Sequence, residues 1–521
     1  MGIPSYFSYI VKNHRNIIRK IKKNFNIDNL YLDSNSIIYD CLRKLNDEYN
    51  NNDKIFEKKL IYEVCLKIEE YINIIQPKKK VFIAFDGVAP VAKLEQQRNR
   101  RYKSLLEVEI FKACDLNTNE NCWNKTAITP GTNFMKNLNI GVKKYFKSDK
   151  IIISGSDIPG EGEHKIFDYI RINSKIHKNQ TTLIYGLDAD LIMLCLNHLH
   201  ISKNIFLYRE TPEFIKYIDS SLDPNEDYIF NIDLLSYHIV EEMGGKKDEN
   251  KTNYIYDYIL LCFFLGNDFL PHFPALNIRT AGINRLLNAY KLKISKKKTF
   301  LTNGNAIHWN NLKEIIEYLS ENELDYIKEE YKLRSKFEKR RFGSSTPDDR
   351  KEKYLNIPIK NRDIERYIDP YNYSWENRYY EKLFNIDITN EWRKKISLNY
   401  MEGLEWTIKY YSSGCSDWRW IYKYNYPPLL SDLVKYLPNW DMDMIETKPQ
   451  NPVTENLQLS YVLPPQYHNL LEEKYQNKIS HLSCFRSKNY EIQWSFCRYF
   501  WESHLILPEI DIEELEELLH T

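Results

Sequence analysis

Residues 181–194 read TTLIYGLDADLIML, an apolar run broken at Gly186 and followed by two aspartates before a second apolar run. The first run predicts a buried strand over 182–187, and the second a helix over 189–197. A strand passing straight into a helix is the repeating unit of a parallel sheet, because parallel neighbours need a crossover connection. The unit recurs along the chain. Strands are predicted at 30–33, 81–86, 151–154 and 205–208, and helices at about 56–75, 91–112, 131–147, 161–173 and 254–265. The expected fold class is therefore α/β, with a mostly parallel central sheet flanked by helices and a helical, aromatic-rich C-terminal region packed on it.

Carboxylates cluster where the apolar runs end. Asp33 follows NLYL, Asp86 follows VFIAF, and Glu161 and Glu163 come just after IIISGSDIPG. Asp188 and Asp190 follow TLIYGL, and Asp268 follows YILLCFFLGN. Pro159, Gly160 and Gly162 predict a tight turn that lets Glu161 and Glu163 reach neighbouring points. Period-two alternation predicts that Asp188 and Asp190 point the same way and Ala189 the other. Taken singly, any of these acids reads equally well as a helix cap or loop residue. Repeated at the carboxyl edge of a parallel sheet they converge on one cleft, where their mutual repulsion calls for cations. Oxygen-only ligands select hard ions, Mg²⁺ or Mn²⁺, over zinc. Two such ions in one cleft are a recurring solution for in-line hydrolysis of phosphodiesters.

VAKLEQQRNRRYKS begins at Val91, just beyond the Asp86 turn. Lys93, Gln97, Arg100 and Arg101 fall on one helix face, and such a stripe suits a terminal phosphate; Arg98 and Lys103 point off it. A solvated basic face is the plainer alternative. Downstream, DWRWIY (417–422) sets aromatics at every second position. They suit either the stacking of unpaired bases or a core strand that buries two indoles.

Composition narrows the setting. With 73 Lys+Arg against 72 Asp+Glu, any basic surface must be local. The longest apolar run, Tyr258–Leu265, falls short of the roughly 18 residues that span a bilayer. MGIPSYFSYI lacks the charged lead and apolar core of a secretory signal, and its sixth residue is Tyr where a myristoylation motif wants Ser or Thr. The nine cysteines are scattered, without metal-binding spacing. An intracellular protein is expected, in the cytoplasm rather than the nucleus, with no membrane partner. Residues 291–390 are expected to be a charged helical connector with a mobile tip around 338–352, and IDIEELEELLH an acidic closing helix.

Together, MGIPSYF, LYLDSNSI, FDGVAPVAKLEQQRNRRYKS, ITPGTNF, PGEGEHKI, GLDADLIML and LGNDFLPHFP resemble the first conserved region of the XRN family of 5′→3′ exoribonucleases. GLEWTIKYYSSGCSDWRWIYKYNYPP and QLSYVLPPQYHNLL resemble the second. The resemblance covers roughly residues 1–290 and 395–510. It implies a catalytic region over 1–290 related to flap endonucleases and PIN nucleases, and a second region over 391–521 that braces the active site. It further implies two Mg²⁺ ions, replaceable by Mn²⁺, on Asp33, Asp86, Glu161, Glu163, Asp188, Asp190 and Asp268. Lys93, Gln97, Arg100 and Arg101 would take a 5′-monophosphate. Tyr39 stands where the family carries a base-stacking His, and its stacking partner would be Trp418 or Trp420. The implied activity is processive hydrolysis of single-stranded, 5′-monophosphorylated RNA to nucleoside 5′-monophosphates, by a compact monomer without the long C-terminal extensions of cytoplasmic members. A flap-type DNA nuclease is the nearest alternative, but LPHFPALNIRTAGINRLL lacks its glycine-rich duplex-gripping pattern. An inactive protein that binds RNA 5′ ends is another, and seven acids would only repel phosphate there.

Overall fold

The computed structural model describes residues 2–3, 5–21, 25–113, 122–209, 222–223, 226–246, 249–386, 389–448, 451–485 and 490–520; Met1 and Pro4 of the MGIPSYF motif lie outside these. Its centre is a sheet of seven strands: β1 (Ile18–Lys20), β2 (Asn29–Asp33), β3 (Lys80–Ala84), β4 (Ile151–Ser154), β5 (Thr181–Tyr185), β6 (Asn204–Arg209) and β7 (Tyr228–Asn231). Their order is β1-β7-β6-β5-β2-β3-β4. The five strands from β6 to β4 run parallel, and β7 and β1 add an antiparallel edge. The mostly parallel α/β sheet is as the alternating runs predict.

Both faces of the sheet are covered, which is why its strands read as unbroken apolar runs. Leu30, Leu32, Ile83 and Leu183 point into one core, against the Asp53–Ile75 and Asn133–Tyr145 helices. Tyr31, Phe82 and Ile184 point into the other, against the Gly162–Ile172, Asp190–Asn197 and Lys251–Phe263 helices. The long Asn390–Ser412 helix joins that second core. A third core sets the Val91–Ala113 helix against Glu455–Val462 and the closing helix Ile512–His520. Among the described residues no helix is long and apolar enough to cross a membrane.

The chain builds β2, β3 and β4 outward in one direction, then returns to lay β5 on the other side of β2. Where strand order reverses, the flanking loops part and leave a crevice at the carboxyl ends. That crevice is where the acids arrive.

Three expectations need correction. β3 and β5 end at Ala84 and Tyr185, not at 86 and 187, so Asp86 and Asp188 lie in loops and Asp190 is the first residue of a helix. Period-two alternation therefore does not orient the last pair. Gly186 folds the chain back so tightly that a Cβ there would lie 2.1 Å from Leu191 Cδ1. Residues 417–422 form no strand: Trp420 and Tyr422 are buried, but from an irregular segment whose Trp418 carbonyl accepts from Val91 N at 2.9 Å. The connector is helical as expected, yet its charged tip is half helix. Thr346 and Asp349 form a reciprocal capping box that starts the Pro347–Leu355 helix.

Candidate active site

Asp33 is the last residue of β2, and its carboxylate is buried between the loops that leave β3 and β5. The Asp86 turn and the PGEGE turn are fastened to each other by backbone hydrogen bonds, Gly87 N to Gly160 O at 2.9 Å and Gly160 N to Val88 O at 2.7 Å. Asp86 is then held from both sides. Its Oδ2 accepts from the Asn35 amide, its own N–H donates to Asn35 Oδ1, and its Oδ1 accepts from Gly162 N at 2.7 Å. Gly162 is a glycine for a steric reason: a Cβ there would sit 2.4 Å from Asp33 Oδ1.

Glu161 caps the Gly162–Ile172 helix and Glu163 lies in its first turn, while Asp190 opens the Asp190–Asn197 helix. The positive end of each helix dipole thus faces the acids. Ligand oxygens of Asp33, Asp86 and Glu163 lie within 4.8 Å of one another, and so do ligand atoms of Glu161, Glu163 and His164. Asp268 enters from the opposite wall, beyond the Lys251–Phe263 helix. It accepts from Lys93 Nζ at 2.7 Å and Gln96 Nε2 at 2.7 Å. Lys93 also reaches Glu161 Oε1 at 2.5 Å, so this ammonium bridges the two walls. Gly2 packs so closely that a Cβ there would lie 2.7 Å from Asp190 N.

Electrostatics follow from the crowding. Burial first, then Asp86, Asp188 and Asp190, drive the Asp33 pKa well above its ordinary value. Glu163 is raised likewise by burial and by Glu161, and Asp190 is pushed up to about 7 by burial and by Asp188. Burial also raises Asp86, against the Gly162 amide. Burial would lift Asp268 too, but Lys93 beside it holds it far below the carboxylate range. A set of buried carboxylates that resist ionisation together is a site built for added positive charge. The donor chemistry fits hard divalent cations, and Asp33 Oδ1 and Asp190 Oδ1 are buried without a hydrogen-bond partner.

The four residues assigned to a phosphate pocket do not act as one stripe. Lys93 faces the acids. Gln97 accepts from Arg101 Nη1 at 3.2 Å, and Arg101 Nη2 donates to Thr129 Oγ1 at 2.7 Å. Burial lowers the Arg101 pKa to about 10, and its charge interacts with Arg100 and Tyr39. Arg100 turns to the other side with Gln96, where both line a cavity of about 1690 Å³ that is also walled by Asp268, His272, Trp420 and Lys423. Arg98 and Lys103 lie off the face, as expected. They anchor the C-terminal segment through the carbonyls of Pro508, Trp501 and Ser503.

Trp420 lines the cavity and stacks on Trp406, while Trp418 is half-buried beside the start of the Val91–Ala113 helix. Sequence reasoning did not single out Asn35, Gln96, Thr129, His164 or Tyr410. All five lie inside quoted motifs, Asn35 in LYLDSNSI, Gln96 in FDGVAPVAKLEQQRNRRYKS, Thr129 in ITPGTNF, His164 in PGEGEHKI and Tyr410 in GLEWTIKYYSSGCSDWRWIYKYNYPP, and that was their only signal. Tyr410 donates to Glu161 Oε2 at 2.8 Å from a helix distant in sequence.

Two family models between them match most of the chain. The family model described as XRN 5′-3′ exonuclease N-terminus matches residues 1–211. That described as Xrn1 helical domain matches residues 248–363 and 359–521. Similar relatives include 5′-3′ exoribonuclease 2 of Arabidopsis thaliana, 27% identical over 99% of this chain and 67% of its own length. The 5′-3′ exoribonuclease 1 of Saccharomyces cerevisiae is 28% identical over 100% of this chain and 43% of itself. For the Homo sapiens 5′-3′ exoribonuclease 1 the figures are 28%, 100% and 34%.

Proposed function

The chain belongs to the XRN 5′-3′ exonuclease family, and we propose on that premise that it hydrolyses single-stranded, 5′-monophosphorylated RNA from the 5′ end to nucleoside 5′-monophosphates. The observation that carries the reading is the buried carboxylate cluster of Asp33, Asp86, Glu161 and Glu163. Arg101 and Gln97 bind the terminal phosphate through charge-assisted hydrogen bonds. Tyr39 and one of Trp418 and Trp420 stack the first bases. Asp33, Asp86, Glu161, Glu163, Asp188, Asp190 and Asp268 hold two Mg²⁺ ions, for which Mn²⁺ can substitute. When bound, the ions make the attacking water more acidic and offset charge on the departing 3′ oxygen. Water adds to phosphorus, the P–O3′ bond breaks, and the 3′ oxygen leaves with a proton. Lys93 keeps Asp268 ionised and, by pairing with Glu161 as well, orients both carboxylates toward the cleft.

The test is one RNA carrying a 5′-monophosphate, triphosphate or hydroxyl, beside a matched DNA strand, each with Mg²⁺ or with EDTA. Mononucleotides are expected from the monophosphate RNA with Mg²⁺ alone. Equal digestion of the DNA, or release of mononucleotides in EDTA, overturns the reading.

A further inference from the structure

We propose that Tyr410 is a positioning residue for Glu161, fixing the carboxylate that faces the cation site; the inference rests on the nuclease reading above only for what the cation does. Glu161 caps its helix through the backbone, and its side chain makes no capping hydrogen bond of its own. Its orientation is therefore set from outside. Lys93 takes Oε1 at 2.5 Å but is shared with Asp268, whereas the Tyr410 hydroxyl donates to Oε2 at 2.8 Å. A phenol ordinarily titrates at about 10, so the hydroxyl is a donor at neutral pH.

The ring itself is locked. His164 stacks on one face at 3.7 Å and 25°, Trp406 stacks at 4.8 Å and 27°, and Phe269 meets it edge-on at 5.6 Å. Trp406 continues to Trp420 at 5.1 Å and 24°, so a four-ring column runs from the cavity wall to the acids. Phenylalanine would fill this column equally well. A hydroxyl buried there carries a desolvation cost, and its bond to Glu161 is what offsets it.

The experiment is a Mn²⁺ titration by calorimetry on the full chain, with Tyr410→Phe, Glu161→Gln and the double variant. Tyr410→Phe is expected to weaken Mn²⁺ binding about 10–100-fold, as loss of an outer partner of a ligand does, with its thermal midpoint within about 2–4 °C of wild type. In the Glu161→Gln background the same change should alter affinity by less than about twofold, because the group it positions is gone. At limiting Mn²⁺, kcat on monophosphate RNA should fall with KM unchanged. Wild-type Mn²⁺ affinity in Tyr410→Phe, an equal loss in both backgrounds, or a change confined to KM overturns the proposal. Failure of the wild type to digest RNA would sink the nuclease reading and leave the Mn²⁺ cycle standing.

Discussion

The carboxyl edge of the sheet and the Asn390–Tyr426 segment both shape one cluster of acids, and they reach it differently. Asp33, Asp86 and Asp188 stand at or within three residues of a strand end, so the backbone that positions them is local. Tyr410 reaches Glu161 across 249 residues of sequence, and Trp420 reaches the cavity wall by stacking on Trp406. The edge supplies charge, whose like-sign repulsion resists assembly. The distant segment supplies apolar area and one hydrogen bond, which hold that charge in place. Charge and scaffold are thus divided between the two halves of the chain, and changes on either side should fail in different ways.

The sharpest way to break the comparison is Asp190→Asn. Losing a carboxylate from the buried set should lower kcat on the order of 10²–10³-fold while filter binding shows RNA affinity largely intact. RNA loss at the wild-type rate would mean the sheet edge is not the reaction centre. Next come two matched glycine changes. Gly162→Ala drives a Cβ to 2.4 Å from Asp33 Oδ1 and should cost on the order of 10²-fold in kcat through misplacement. Gly403→Ala puts a Cβ 2.6 Å from Leu270 Cδ2 and 2.9 Å from Trp420, in the scaffold. It should show mainly as about 1–3 kcal/mol lost in denaturant melts, with the smaller loss of rate. If the two variants fail alike, the division is wrong.

What was legible in the sequence follows the same line. The five parallel strands and the clustering of Asp33, Asp86, Glu161 and Glu163 could be read, since a parallel strand buried on both faces writes an apolar run and its exit loop writes the turn; the antiparallel edge, β1 and β7, was not expected. The ends of β3 and β5 were read two residues late because Phe85 and Leu187 continue the apolar pattern after pairing has stopped. The Asn35–Leu45 helix was missed: it begins directly after Asp33 and Ser34, with no apolar gap to mark it. Beyond their place in quoted motifs, nothing in the pattern marks Tyr410 or His164. A tyrosine in an apolar helix looks the same whether its hydroxyl meets water, a carbonyl or Glu161, and only the packing of Asn390–Ser412 on the sheet decides.

Arg101→Ala tests the proposed phosphate pocket on the Val91–Ala113 helix. Removing a charge-assisted donor should erase a monophosphate-over-hydroxyl preference on the order of 10–100-fold, measured as the ratio of kcat/KM on the two RNAs. Tyr39 and Thr129 would then flank an empty wall, and general hydrolysis should survive. An unchanged ratio would assign the end preference elsewhere, with Arg100 and Lys93 the next residues to alter.

The smallest effect, per group, is thermodynamic, and it has opposite signs for the buried histidines and the acids. Burial holds His14 and His272 down to about 4, and His198 and His504 are lowered as well. A histidine depressed in the folded state binds its proton first in the unfolded chain. Stability therefore falls as pH drops from about 6.5 toward 4, by at most about 1.4 kcal/mol per pH unit for each such group. Asp190, raised to about 7, runs the other way: between its ordinary 3.8 and 7 the folded state binds the extra proton, so acidification stabilises. In EDTA the raised acid offsets part of the histidine trend, so the thermal midpoint should fall less steeply between pH 6.5 and 5 than the histidines alone would make it. Saturating Mg²⁺ keeps the carboxylates ionised and removes the acid contribution, leaving the histidines alone. The midpoint should then fall steadily with acidification. Parallel curves with and without Mg²⁺ would show that the cluster's protons and the cation do not compete for the same oxygens.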